Sequence, residues 1–109
     1  ALETLRALRG LLATHGEPDP AALAAGLRIL READLRDALP RVTLPALVVA
    51  GEHDRLTPPG AGQALASALP AARFRLVERS GHAPFLSHPG EMLAEVGGFL
   101  ARHTGEDAA

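Results

Sequence analysis

Ala46-Leu47-Val48-Val49-Ala50 is introduced by Pro45, stopped by Gly51 and followed by Glu52-His53-Asp54. Five apolar residues in a row, two of them β-branched, predict a strand buried on both faces. Downstream, Thr57-Pro58-Pro59 opens a helix predicted over about 59–69, with Leu65 and Leu69 turned inward and Pro70 closing it. Arg73-Phe74-Arg75-Leu76-Val77-Glu78 then alternates polar with apolar and predicts a second strand. A strand, a helix and a strand of these lengths imply a right-handed crossover between parallel strands. Two parallel strands need neighbours and covered faces to be stable. The run 46–50 is the more apolar, so it is expected further inside a sheet, beside a strand that this sequence lacks. The expected class is α/β, and the chain reads as the C-terminal end of a larger α/β protein.

Upstream, Leu2, Leu5, Leu8 and Leu12 form a helical stripe over about 2–14 that Gly16 ends. Asp19 as N-cap and Pro20 at the first helical position start a second helix to about residue 33, with Leu23, Leu27 and Leu30 on one face. Residues 34–39 allow one more short turn before Pro40. After the second strand a loop over 79–87 carries Gly81-His82. Pro89 then starts a last helix that places Met92, Val96, Phe99 and Leu100 together, with Gly97-Gly98 weakening its middle. The tail over 104–109 is polar and expected to fray.

Composition narrows the chemistry. The chain has 109 residues, 47% of them hydrophobic, with a net charge of −2. Its 11 basic residues, all Arg, do not outnumber its 13 acidic ones, which argues against nucleic-acid or anionic-membrane binding. Cysteine is absent, which excludes disulfides, thiolate metal sites and cysteine nucleophiles. No apolar run is long enough to span a bilayer, and the start of the chain is charged rather than signal-like. A soluble, cytoplasmic protein is expected.

In parallel α/β sheets, ligands sit beyond the carboxyl ends of the strands. Two loops qualify, 51–58 with Asp54 and 79–85 with His82. Adjacent strands would bring Asp54 and His82 to hydrogen-bond distance. A carboxylate beside an imidazole fixes the Nδ1–H tautomer and stabilises the imidazolium, while Nε2 takes a proton from a hydroxyl nucleophile. His53 reads as a solvent-facing loop residue, His88 as a flank or cap of the last helix, and Glu91 as a first-turn acid facing the helix dipole. His15 and His103 lie at helix ends. No spacing among the His, Asp and Glu residues suits a metal, so none is expected. Phe85 and Leu86 either line an acyl pocket near His82 or pack the loop onto the core.

Gly51-Glu52-His53-Asp54 with Leu56 and Pro58, followed by Ser80-Gly81-His82-Ala83-Pro84-Phe85, resembles the acid and histidine motifs of the α/β-hydrolase fold. The resemblance covers essentially the whole chain. Gly26-Leu27, Ile29-Leu30, Asp34-Leu35-Arg36, Leu39-Pro40 and above all residues 82–89 are similar to the biotin-synthesis carboxylesterases of that family. Those enzymes act on a pimeloyl methyl ester held by acyl carrier protein. The resemblance implies that residues 1–33 are the last helices of a cap, or lid, and that 34–103 are the last two strands and helices of the core. It implies catalytic roles for Asp54 and His82 and an acidic carrier partner, for which Arg6 is the candidate contact; Phe85 is the candidate for substrate binding. It implies no metal or organic cofactor. The family nucleophile, a Ser in Gly-x-Ser-x-Gly, has no counterpart, because Ser67, Ser80 and Ser87 all stand in other contexts. The expected partner is therefore the missing N-terminal portion of the same fold, and the 109-residue chain alone is expected to be inactive. Lactonases, C–C hydrolases, dehalogenases and perhydrolases share the acid and histidine loops, and the upstream nucleophile decides, because dehalogenases use Asp where esterases use Ser. A non-catalytic interaction fragment is the rival from another class.

Overall fold

A computed structural model describes residues 2–104, so the tail beyond Thr104 lies outside the described residues. The chain divides into two compact units, one through Asp37 and one from Ala38 on.

The first unit is helical. Helix α1 spans Leu2–His15 and stops where Gly16 takes φ 75° and returns its N–H to the Leu12 carbonyl at 2.9 Å. Helix α2 spans Pro20–Glu32. Its N-cap Asp19 accepts the Ala22 N–H at 3.3 Å, and Pro20 sets the first helical φ. Both helices form as their stripes predict, yet neither buries a residue, so the leucine faces stand uncovered among the described residues. Just past α2, Arg36 grips Asp34 through Nε at 2.9 Å and Nη2 at 2.6 Å. Those hydrogen bonds pull the exposed Asp34 carboxyl down to about 2.

The second unit carries the sheet. A 3₁₀ turn over Leu39–Arg41 leads into strand β1, Ala46–Gly51. Helix α3, Pro59–Ala68, crosses over to strand β2, Ala72–Val77. The two strands are parallel, with Ala46 opposite Ala72 and Gly51 opposite Val77. β2 therefore begins and ends one residue earlier than its alternation suggests. The pleat sorts the side chains. Val48, Ala50 and Phe74 face α3 around Gly62, where an added Cβ would stand 3.1 Å from the Phe74 ring and 3.2 Å from Ala50 Cβ. Leu47 and Val49 turn the other way, toward Met92, Val96, Phe99 and Leu100 of helix α5, Pro89–His103, across an apolar groove of about 570 Å³. Arg75 of β2 bonds Glu95 of α5 at 3.0 Å.

Three expectations need correction. Residues 46–50 are half-buried rather than buried on both faces, because no described strand pairs with the other edge of β1. Leu65 is 39% exposed rather than turned fully inward, because it lines an open cavity. The segment read as a plain loop over 79–87 also ends in a one-turn helix, α4, Pro84–Ser87. Val77 is the one fully buried aliphatic side chain among the described residues.

Candidate active site

Both candidate residues follow the C-terminal ends of the parallel strands. Asp54 lies three residues after β1, in a turn where its N–H reaches the Gly51 carbonyl at 3.2 Å. His82 lies five residues after β2, beyond Arg79, which takes a left-handed φ of 61° in the turn. The two loops are fastened to each other. Glu52 N–H donates to the Val77 carbonyl at 3.0 Å, and His53 N–H donates to the Ser80 carbonyl at 2.8 Å. Arg79 N–H donates to the Glu52 carboxylate at 3.4 Å. This approach needs glycine at 51, since a Cβ there would stand 2.6 Å from the Ser80 carbonyl oxygen and closer still to that of Gly81.

The result is a contact of 2.9 Å between His82 Nδ1 and Asp54 Oδ2. The Asp54 side chain is 5% exposed and that of His82 is 56% exposed. Burial pushes the Asp54 pKa up. The Thr57 N–H, His82, the Thr57 hydroxyl and the Leu56 N–H outweigh it together, holding the carboxyl well below the usual carboxylate range. Asp54 is thus an acceptor only, and the contact requires the hydrogen on His82 Nδ1. Nε2 then carries the lone pair, and among the described residues it makes no hydrogen bond. Both groups border a cavity of about 340 Å³ whose wall includes Val48, Leu65 and Pro84.

Sequence reasoning missed two hydroxyls. Thr57 donates its hydroxyl to Asp54 Oδ2 at 3.0 Å. Its signal is an Asp followed three positions later by Thr at a turn, the pattern in which a carboxylate collects local donors. Ser80 is 1% exposed and hydrogen-bonds the Ser87 hydroxyl at 3.2 Å, which ties the histidine loop to α4.

The other candidates make no hydrogen bond to Asp54 or His82 among the described residues. Phe85 is 63% exposed and outside the cavity wall. Arg6 is exposed on α1. His88 flanks α5, and its ring bonds the Ser87 hydroxyl at 2.7 Å rather than a helix amide. His53 faces solvent, 3.5 Å from the Glu52 carboxylate. Glu91 stands in the first turn of α5. No cluster of three or more His, Asp or Glu side chains suited to a metal occurs among the described residues. No helix among them is long and apolar enough to cross a membrane.

Known proteins are similar to this chain. The family described as alpha/beta hydrolase family matches residues 2–96. Pimeloyl-[acyl-carrier protein] methyl ester esterase of Stenotrophomonas maltophilia is 46% identical over 101 residues, 93% of this chain. The enzyme of that name from Xanthomonas oryzae pv. oryzae is 42% identical over the same length. The chain spans 39% and 40% of the length of these two relatives. Among solved structures, a thermophilic esterase from Thermogutta terrifontis with malate bound aligns with TM-score 0.63 and 30% identity. That alignment covers 65% of this chain and 26% of the esterase. An alpha/beta hydrolase enzyme from the sediment metagenome of the Mar Chica lagoon, Morocco, aligns with TM-score 0.65 and 26% identity, over 72% of this chain and 37% of its own.

Proposed function

The chain belongs to the α/β hydrolase family, and on that premise we propose that it supplies the acid and the histidine of a serine carboxylesterase. The proposed substrate is the methyl ester of a pimeloyl chain carried on acyl carrier protein, as named for the relatives. The observation that carries this reading is the 2.9 Å bond between His82 Nδ1 and a buried, ionised Asp54, with Nε2 free to act.

The nucleophile is a Ser in the N-terminal portion of the same fold, which lies outside this sequence. His82 Nε2 takes the Ser proton as the oxygen attacks the ester carbonyl. Asp54 stabilises the imidazolium that forms. The protonated ring returns its proton to the departing methoxide, methanol leaves and an acyl-enzyme remains. His82 then deprotonates a water that attacks the acyl carbonyl, and its proton returns to the Ser oxygen. Free carboxylate is released, and no metal or organic cofactor enters the cycle.

Residues 1–33 are read as part of the cap, with 34–103 as core. Arg6, exposed and cationic, is assigned to contact with the acidic carrier. Phe85, three positions past His82 and open to solvent, is assigned to contact with the acyl chain. The enzyme is read as cytoplasmic.

The test is Asp54→Asn and His82→Ala in the full-length protein, assayed on the carrier-linked methyl ester and on a p-nitrophenyl ester. Each variant is expected to lose about 10³–10⁴-fold in kcat/KM. Unchanged rates in both variants overturn the assignment. Activity on the p-nitrophenyl ester alone keeps the catalytic pair and rejects the pimeloyl substrate.

A further inference from the structure

Asp54 accepts four hydrogen bonds, and Thr57 provides two of them. Oδ1 takes the Leu56 N–H at 2.9 Å and the Thr57 N–H at 3.0 Å. Oδ2 takes the His82 Nδ1 proton at 2.9 Å and the Thr57 hydroxyl at 3.0 Å. A carboxylate offers about four lone-pair sites, so its accepting capacity is filled. The Thr57 oxygen also stands 3.4 Å from His82 Nδ1, which makes it the one described side chain that meets both members of the pair.

We infer that the Thr57 hydroxyl is a positioning residue of the reaction, acting through Asp54 on His82. This inference rests on the reading given under Proposed function. The backbone donors at Oδ1 hold one oxygen of the carboxylate, and the hydroxyl holds the other beside the imidazole. Oδ2 is thereby aimed at Nδ1. The hydroxyl also favours the anionic carboxylate, the form needed while the imidazole carries a second proton. That demand is greatest when the imidazolium exists, at the transition state. Loss of the hydroxyl should accordingly lower kcat and leave KM in place.

The experiment compares Thr57→Val with Thr57→Ser in the full-length protein. The valine keeps the branched shape and the backbone donor but has no hydroxyl. The serine keeps the hydroxyl and loses the methyl. For Thr57→Val, kcat is expected to fall about tenfold, the size of one hydrogen bond to a charged group, with KM within about twofold. For Thr57→Ser, kcat is expected within about threefold of the parent, because the donor to the carboxylate is retained. An unimpaired Thr57→Val overturns the inference. So does a serine variant as slow as the valine, which assigns the effect to the methyl, or an effect confined to KM, which assigns Thr57 to the cavity wall. Should Thr57→Val fail to give a cooperative melt, Thr57→Ala against Thr57→Ser makes the same comparison. Asp54→Asn is assayed alongside. If it is inactive while Thr57→Val is unimpaired, only this inference fails. If Asp54→Asn is itself fully active, the catalytic pair and the inference fall together.

Discussion

Gly51 decides how closely the acid loop and the histidine loop approach. An added Cβ would run into backbone carbonyl oxygens of Ser80 and Gly81, which cannot swing aside as the end of a side chain can. Gly51→Ala is therefore expected to push the 79–82 turn outward and lengthen the Asp54–His82 bond. Overpacking of this kind costs about 1–3 kcal/mol. Displacing a catalytic group by about 1 Å costs on the order of 10²-fold in rate. A urea titration and a kcat/KM measurement on full-length Gly51→Ala check both expectations, and an unchanged midpoint with unchanged rate contradicts them. That Asp54 and His82 meet was legible in the sequence because each lies just past one of two strands expected to be adjacent and parallel. Thr57 and Ser80 were not. A hydroxyl in a turn is most often a local backbone cap, and only coordinates reveal that one meets Asp54 and the other is buried against Ser87.

At the scale of elements, two glycines of similar appearance in sequence have opposite consequences. Gly62 lets α3 lie close to Phe74 and Ala50, whereas an added Cβ at Gly97 in α5 meets nothing within 4 Å. Gly62→Val is expected to destabilise the full-length protein by about 1–3 kcal/mol, since the added methyls must displace a ring and a strand. Gly97→Ala is expected to stabilise it by about 0.5–1 kcal/mol through helix propensity alone. Chemical denaturation of both variants gives the test, and a loss at Gly97 as large as that at Gly62 contradicts the distinction. The long elements were legible because their apolar spacing and their Pro and Gly boundaries agree. The start of β2 at Ala72 was not, because register with β1 extends pairing one residue past the visible alternation. Helix α4 spans only Pro84–Ser87, too few residues to show a period, and only Pro84 at its first position hints at it.

For the whole molecule, the balance between burial and chain entropy sets the outcome. Val77 is the one fully buried aliphatic side chain among the described residues, and such a side chain stabilises by about 1.5–3 kcal/mol. The half-buried residues of β1 and β2 add fractions of that amount each. Within each unit the apolar faces stand open, with Leu23, Leu27 and Leu30 on α2 and Leu93 and Leu100 on α5 exposed. A two-stranded sheet with a bare edge is also below the size that stands alone in water, and such an edge invites pairing with other chains. The 109-residue chain expressed by itself is accordingly expected to melt broadly, bind a hydrophobic dye and elute as oligomers. The N-terminal portion of the fold is expected to cover the faces now open, so adding it should sharpen the melt and reduce dye binding. Calorimetry and size-exclusion chromatography on the chain, with and without that portion, decide the matter. A monomer with a cooperative transition in the absence of the N-terminal portion would show that the half-buried contacts of this chain stabilise it far more than their area implies.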